Sequence, residues 1–246
     1  MAAASRERTS AFLRNRKWAS GKHTAKRSPR ATRRRTAALG RWAPPATFTV
    51  VDAGGLLRDS VRALMDGSRR LLHARRRERL LRRLRRQPPS SLLFVCHANL
   101  CRSPYAARVM SRLLPRPLRT AIPIESAGFA AAGLAPPPEA MAVASSRQVD
   151  LSSHRSKHLS PAIVLAADLV WVMEPSQRRE VCAQYRRSAS RVLLLGDLDP
   201  DPPPPLTRAI ADPFGRSRDF YAATYERIDR CLAQLAKAVT EGASRA

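Results

Sequence analysis

The stretch that decides the fold runs from Leu92 to Pro104 and reads LLFVCHANLCRSP. Its apolar start predicts a buried strand that ends at Cys96. A short loop follows, and Pro104 fits the first turn of a helix, where its missing N–H costs nothing and Ser103 is placed to cap. This order of strand, tight loop and helix start is typical of a phosphate-binding site, because unpaired N–H groups and the helix dipole attract an anion.

Cys96 lies at the start of this loop and is a candidate nucleophile. Amide dipoles and the guanidinium of Arg102 would favour its thiolate, which is the reactive form of cysteine, and Ser103 could donate a hydrogen bond to the sulfur. Arg102 could also bind two phosphoryl oxygens at once. The alternative is a small buried residue that merely ends a core strand. A cysteine followed after five residues by Arg-Ser-Pro favours catalysis.

Strands and helices alternate along the rest of the chain. The apolar runs lie at 91–96, 122–127, 168–173 and 191–196, and the helical patterns lie near 103–115, 136–149, 175–187 and 218–238. This order predicts an α/β fold, a three-layer α/β/α sandwich with a four-stranded parallel sheet. The loop after the first strand would then lie at the carboxyl edge of the sheet, where such folds bind ligands.

The segment from Cys96 to Pro104 resembles the signature loop of the low-molecular-weight protein tyrosine phosphatases. That family also includes protein arginine phosphatases and one class of arsenate reductase. Further segments resemble the family in the same order, namely ESAG at 125–128, DLSSHRS at 150–156, ADLVWVM at 167–173 and IADPFG at 210–215. The resemblance covers about residues 91–240, which we expect to form the phosphatase domain.

The resemblance implies a role for each matching residue. Cys96 would attack phosphorus and form a phosphocysteine, while Arg102 and the loop amides hold the equatorial oxygens. Asp212 would act first as general acid and then as general base. The implied substrate-binding residues are His97, Ala98, Asn99, Leu100, Cys101, Ser103 and Phe214. The implied bracing residues, which hold the loop by hydrogen bonds, are Asn99, Ser103, Ser126 and His154. No metal or other cofactor is implied.

Three Asp-Pro pairs compete for the role of the acid. Asp199 and Asp201 directly follow a predicted strand in a proline-rich turn, which indicates solvated turn carboxylates. Asp212 precedes Phe214 and a long helical pattern, which matches the position of the acid loop in the family. The alternative for Asp212 is a turn aspartate without a role.

Departures from the family pattern bear on the substrate. Ala98 stands where glycine is usual, which requires a backbone that avoids positive φ. Ala132 stands where an aromatic residue often walls the cleft. Leu100 favours phosphotyrosine, because the arginine phosphatases carry threonine there, and Cys182 and Cys231 are too far apart for the cysteine relay of an arsenate reductase. We therefore predict a protein tyrosine phosphatase. The alternatives are a protein arginine phosphatase, an arsenate reductase or a non-catalytic anion-binding module.

The four cysteines bear on redox state and location. Cys101 lies five positions from Cys96 and could form a reversible disulfide that protects the nucleophile. A buried thiol that merely packs is the alternative. A thiolate mechanism indicates a reducing compartment, which predicts a cytoplasmic protein.

The first 90 residues differ from the rest in charge. They hold 25 Lys and Arg against 5 Asp and Glu, so they carry +20 of the formal net charge of +26. Residues 1–46 are rich in Arg, Ala, Ser and Thr with few apolar residues, and residues 1–55 are predicted to form a disordered basic tail. Leucines at helical spacing before Pro88-Pro89 predict a basic amphipathic helix and a proline linker over 56–90, with Gly67 as a candidate break.

This basic arm, residues 1–90, has several candidate roles. It could lie on an anionic membrane surface, bind nucleic acid through its phosphates or cover the phosphatase domain. A natural start further downstream would be a fourth explanation. The composition of the arm resembles that of a transit peptide, and it lacks the apolar core of a secretory signal. The pattern favours no particular oligomeric state.

Overall fold

A computed structural model of the chain describes residues 53–245 and, from residue 63 onward, their side chains. The helices are α1 Ala53–Arg86, α2 Arg102–Leu113, α3 Arg116–Ala121, α4 Pro138–Ser146, α5 Pro161–Ala166, α6 Pro175–Gln184 and α7 Arg218–Ala243. The strands are β1 Leu92–Cys96, β2 Ile124–Gly128, β3 Leu169–Val172 and β4 Val192–Leu194. Two 3-10 turns, Arg186–Arg191 and Leu195–Leu198, flank β4. Residues 1–52, nearly all of the predicted tail, lie outside the described residues.

The four strands form one parallel sheet in the order β2-β1-β3-β4. All five residues of β1 are buried, and alternate side chains enter opposite layers. Phe94 belongs to one apolar cluster, which also holds side chains of α2 and α7. Val95 belongs to a second cluster, with side chains of α5 and α6. The predicted three-layer α/β/α sandwich is confirmed.

Helix α1 runs without a break through Gly67. Its second half packs on α7, where Leu84 is buried in the larger apolar cluster and Arg85 Nε donates to Glu241 Oε2 at 2.6 Å. A Cβ on residue 242 would lie 2.8 Å from the carbonyl oxygen of Arg85, so Gly242 permits this close approach. This half of α1 therefore covers the α/β domain, which is one of the roles considered for the arm.

The part of α1 that precedes His73 has a different environment. Leu64, Met65, Leu71 and Leu72 are all exposed there. None of the helices in the described part of the chain is both long and apolar enough to cross a membrane. The exposed apolar side chains therefore lie on a helix that is otherwise rich in arginine.

Candidate active site

The loop between β1 and α2 rests directly on the end of β2. Cys96 is opposite Gly128 in the register of the two strands, and the carbonyl of His97 accepts a hydrogen bond from Phe129 N at 2.7 Å. A Cβ on residue 128 would lie 2.6 Å from the backbone nitrogen of Asn99. The loop can therefore adopt this position only because residue 128 is glycine.

Asn99 lies at the centre of the loop with φ at 54°, a conformation that asparagine tolerates better than most residues. Its Oδ1 accepts from Lys157 N at 2.8 Å, which fixes the orientation of the amide. Nδ2 therefore donates to Ser103 Oγ and to Ser126 Oγ, both at 2.9 Å. The positive φ of the loop falls on Asn99 and not on Ala98, so the alanine is not strained.

His154 contacts the loop from the opposite side. Its Nε2 donates to the carbonyl oxygen of Asn99 at 2.8 Å. Burial lowers the pKa of the His154 imidazole, and the positive charges of Arg108 and Lys157 lower it further against the effect of that hydrogen bond. The neutral ring, with its hydrogen on Nε2, satisfies this contact.

Ser103 lies beside the sulfur of Cys96, with Oγ 3.1 Å from Sγ. Oγ accepts a hydrogen bond from Asn99, and its own hydrogen can point either to the sulfur or to the Ala127 carbonyl at 3.4 Å. Helix α2 begins at Arg102, and its N-cap residue Cys101 makes no side-chain capping bond. The prediction that Ser103 caps the helix was wrong, because the serine lies within the first turn. The first N–H groups of α2 are therefore open to an anion.

Arg102 is almost completely buried, with an exposed fraction of 1%. Its Nη1 donates to Glu174 Oε1 at 2.5 Å and to the Ile210 carbonyl at 2.8 Å. Among the described residues, Nε and Nη2 have no hydrogen-bond partner. Asp212 Oδ2 lies 2.7 Å from Nη2, but that contact is an ion pair without hydrogen-bond alignment. Unpaired buried donors are unfavourable, so this edge of the guanidinium suits an anion.

The charges around Arg102 act on its ionisation. Burial alone would lower the pKa of the guanidinium, but the neighbouring Cys96, Asp212 and Glu174 outweigh burial and raise it. The side chain thus stays cationic within the core, beside the sulfur that would accept a phosphoryl group.

Glu174, which the sequence analysis did not single out, is the carboxylate that holds Arg102. It is the N-cap residue of α6 and forms a capping box with Gln177. A Glu-Pro-Ser-Gln pattern directly after a predicted strand was the available signal, since it marks a helix start at the carboxyl edge of the sheet.

The loop that precedes α7 places Asp212 beside Arg102, and Asp212 Oδ1 accepts from Phe214 N at 3.3 Å. The ring of Phe214 is exposed beside it. Asp199 is completely buried, and its carboxylate pairs with Arg227 Nε at 2.8 Å and Arg230 Nε at 3.2 Å. The prediction of a solvated turn carboxylate was therefore wrong for Asp199, because two arginines of α7 neutralise it.

The remaining predicted residues of the loop lie in different environments. His97 is exposed and Ala98 is half-buried. Leu100 and Cys101 are buried in the larger apolar cluster. Burial, followed by the charge of Cys96, raises the pKa of the Cys101 thiol to about 12. Both Cys96 and Cys101 are free thiols in this structure, and their predicted disulfide stays a prediction.

This geometry agrees with the comparisons with known proteins. The model of the family "Low molecular weight phosphotyrosine protein phosphatase" matches residues 91–245. The chain belongs to this family, whose members are phosphoric monoester hydrolases that act on phosphoproteins, and the resemblance inferred from the sequence is confirmed. Helix α1 lies outside the matched residues.

Individual relatives cover the same region. The low molecular weight protein-tyrosine-phosphatase Wzb of Escherichia coli K12 is 31% identical over 151 residues, which are 61% of this chain and 95% of Wzb. A protein-arginine-phosphatase of Bacillus subtilis is 29% identical over 150 residues, 59% of this chain and 94% of that protein. The crystal structure of Wzb from E. coli K30 with sulphate covers 61% of this chain and 97% of its own, with 25% identity and a TM-score of 0.54.

Proposed function

We propose that the protein hydrolyses phosphotyrosine in proteins through a phosphocysteine intermediate. The observation that carries this proposal is the buried edge of Arg102, where Nε and Nη2 have no hydrogen-bond partner among the described residues. A phosphoryl group that takes the place of Asp212 Oδ2, which lies 2.7 Å from Nη2, would accept hydrogen bonds from both donors in a bidentate contact. Cys96 lies in the same loop, with Ser103 Oγ 3.1 Å from its sulfur.

The reaction would proceed in two displacements on phosphorus. The Cys96 thiolate forms the S–P bond as the bond from phosphorus to the tyrosyl oxygen breaks, and Asp212 donates its proton to that oxygen. Asp212, now a carboxylate, then takes a proton from a water molecule that attacks the phosphocysteine. Inorganic phosphate leaves and the thiolate is restored. Arg102 and the N–H groups of α2 stabilise the charge on the equatorial oxygens in both steps.

Two observations favour phosphotyrosine over phosphoarginine. Leu100 offers no hydrogen-bonding group to a guanidinium, and Phe214 exposes a ring beside Asp212 on which a phenyl ring could stack. Phosphotyrosine and phosphoarginine peptides of equal sequence, assayed side by side, test this choice. A higher kcat/KM on phosphoarginine would overturn it.

Catalysis itself is tested with p-nitrophenyl phosphate and the full-length chain. We expect Cys96→Ser to abolish turnover and Asp212→Asn to reduce kcat by roughly 100-fold or more, as for the loss of a general acid. Turnover by Cys96→Ser at the wild-type rate would contradict the proposal. Tight phosphate binding without turnover in the wild type would instead indicate an anion-binding module.

Because a thiolate nucleophile needs a reducing compartment, we also propose a cytoplasmic location, to be checked by cell fractionation.

We further propose that the outer face of α1 binds an anionic membrane surface. This face comprises the exposed residues Leu64, Met65, Leu71, Leu72, Arg75, Arg79, Arg82, Arg83 and Arg86. Nucleic acid would use the arginines but leave the apolar side chains in water, whereas a lipid interface accommodates both.

Vesicle binding tests this membrane proposal. Co-sedimentation with phosphatidylserine vesicles should exceed that with neutral phosphatidylcholine vesicles. The double variant Leu64→Ser and Leu71→Ser should bind phosphatidylserine vesicles at least several-fold more weakly. Equal binding of the wild type and the double variant, or binding to duplex DNA alone, would contradict the proposal.

A further inference from the structure

We propose that helix α1 positions the acid loop, residues 207–214, through the buried side chains of Asp199 and Arg227. This inference rests on the proposed function, in which Asp212 is the general acid. It assigns a positioning role to a helix that lies outside the residues matched by the family. Three successive sets of contacts connect the helix with the acid loop.

The first set fixes the segment that follows β4. His73 of α1 is 7% exposed, and its Nε2 donates to the carbonyl oxygen of Asp199 at 2.8 Å. One turn later, Arg77 Nε donates to the Leu198 carbonyl at 3.3 Å and Nη2 donates to Gln234 Oε1 at 2.5 Å. Helix α1 thus holds the backbone of residues 198–199 against α7.

The second set connects this backbone with α7. The Asp199 carboxylate is completely buried and accepts from Arg227 Nε at 2.8 Å. A buried charge of this kind is stable only while its partners stay in place. A shift of the Asp199 backbone would therefore move or unpair Arg227.

The third set extends from Arg227 to the acid loop. Nη1 donates to the Ala209 carbonyl at 2.6 Å and Nη2 donates to the Thr207 carbonyl at 2.5 Å. The next residue, Ile210, donates its N–H to the Met173 carbonyl at 2.8 Å, and its own carbonyl accepts from Arg102 Nη1 at 2.8 Å. The loop is thus held by α7 just before it reaches Asp212.

A second set of contacts connects the segment after β4 with residues 207–210. The carboxylate of Asp197 binds Arg208 through two contacts, Oδ1 to Nε at 2.6 Å and Oδ2 to Nη2 at 2.7 Å. A Cβ on residue 196 would lie 2.2 Å from the Arg208 carbonyl oxygen, so Gly196 lets the two segments touch. A displacement of residues 195–199 would therefore pass directly to residues 207–210.

Loss of α1 contacts should impair proton donation more than phosphate binding. A general acid matters most when the leaving group is basic, and a misplacement of about 1 Å can be costly to catalysis. Phenol, whose pKa is about 10 like that of tyrosine, leaves with more difficulty than p-nitrophenol. Both substrates form the same phosphocysteine, so only kcat/KM depends on the first displacement. The ratio of kcat/KM on phenyl phosphate to kcat/KM on p-nitrophenyl phosphate therefore reports on the acid.

The experiment compares the wild type with a full-length double variant that carries both His73→Ala and Arg77→Ala. The matched control is the double variant Arg75→Ala and Arg76→Ala, whose substitutions lie on the exposed side of the same helix. We expect a loss of about 5- to 10-fold in kcat/KM on phenyl phosphate, less than 2-fold on p-nitrophenyl phosphate, and an unchanged inhibition constant for inorganic phosphate. An unchanged ratio of the two rates, as in the control, would overturn the proposal.

Two further variants keep this proposal separate from the proposed function. Arg227→Lys keeps the charge but cannot reach both carbonyls, so it should lower the same ratio even if the α1 double variant folds poorly. A ratio for Arg227→Lys equal to that of the wild type would overturn the inference. Asp212→Asn must itself lower the ratio. If it does not, the assignment of the acid fails, and this inference fails with it.

Discussion

Glu174 Oε1 lies 2.5 Å from Arg102 Nη1, and this contact determines which edge of the guanidinium is left for a ligand. With Nη1 bound to Glu174 and to the Ile210 carbonyl, Nε and Nη2 are the donors without a hydrogen-bond partner among the described residues. Rotation of the guanidinium would break both contacts. The capping box of α6 thus anchors the arginine of the loop between β1 and α2.

Replacement of Glu174 should therefore reduce catalysis. A hydrogen bond to a charged group contributes about 1.5–3 kcal/mol, so we expect Glu174→Ala to lower kcat/KM on p-nitrophenyl phosphate by roughly 10- to 100-fold. Glu174→Gln keeps an acceptor and should lose less. Glu180→Ala, an exposed substitution in the same helix, is the control. A wild-type rate for Glu174→Ala would show that the guanidinium needs no anchor.

Gly128→Ala should disrupt the loop without touching its side chains. The added Cβ would lie 2.6 Å from Asn99 N, and because that neighbour is backbone, the loop itself must shift. We expect at least a 10-fold loss of kcat/KM and a weaker inhibition by inorganic phosphate, since strain of this kind costs about 1–3 kcal/mol.

Gly67→Ala is the matched control for this substitution. Among the described residues, nothing beyond the adjoining residues and nearby backbone of the same helix lies within 4 Å of a Cβ on residue 67. In a helix interior the change should raise the free energy of unfolding by up to about 1 kcal/mol. Activity should be unchanged. Equal activities of Gly128→Ala and Gly67→Ala would refute the packing argument.

The sequence predicted the parts of the site that depend on local order. Cys96, Arg102 and Ser103 fall within 13 residues that contain a strand, a loop and a helix start, so their proximity follows from chain connectivity. The parallel sheet followed from the alternation of apolar runs and helical patterns. The bracing residues Ser126 and His154 came from the family resemblance instead, because a single sequence does not show which strands are neighbours.

The residues that the sequence analysis missed depend on long-range pairing. Glu174 is 72 positions from Arg102, and the two meet only because β3 pairs with β1. Asp199 was predicted to be solvated because it lies in a proline-rich turn, but its burial depends on Arg227, 28 positions later. In each case the partner lies on another element, and local composition carries no information about it.

Asn99 allows the backbone and side-chain contributions to be separated. Asn99→Gly and Asn99→Ala both remove the contacts to Ser103, Ser126 and Lys157. Only alanine is also strained at a φ of 54°, because this backbone conformation costs a residue with a Cβ about 1–2 kcal/mol of conformational energy. We expect both variants to lose activity and Asn99→Ala to be the less stable by that amount in urea unfolding. Equal stability would show that the loop relaxes to another φ.

The burial of His154 near Arg108 and Lys157 should make stability depend on pH. Burial and nearby positive charges lower the pKa of His154 in the folded state, while the unfolded chain keeps a value of about 6.5. Between the two values the unfolded state binds more protons, so this group makes the free energy of unfolding rise with pH and fall on acidification.

His154→Gln removes this titration and keeps an N–H donor for the carbonyl. Urea unfolding at about pH 7.5 and pH 5.5, on either side of the imidazole range, should show a smaller loss on acidification for His154→Gln than for the wild type. His158→Gln, on an exposed histidine, should behave as the wild type does. If all three proteins lose the same stability between the two pH values, the protonation of His154 is not coupled to folding.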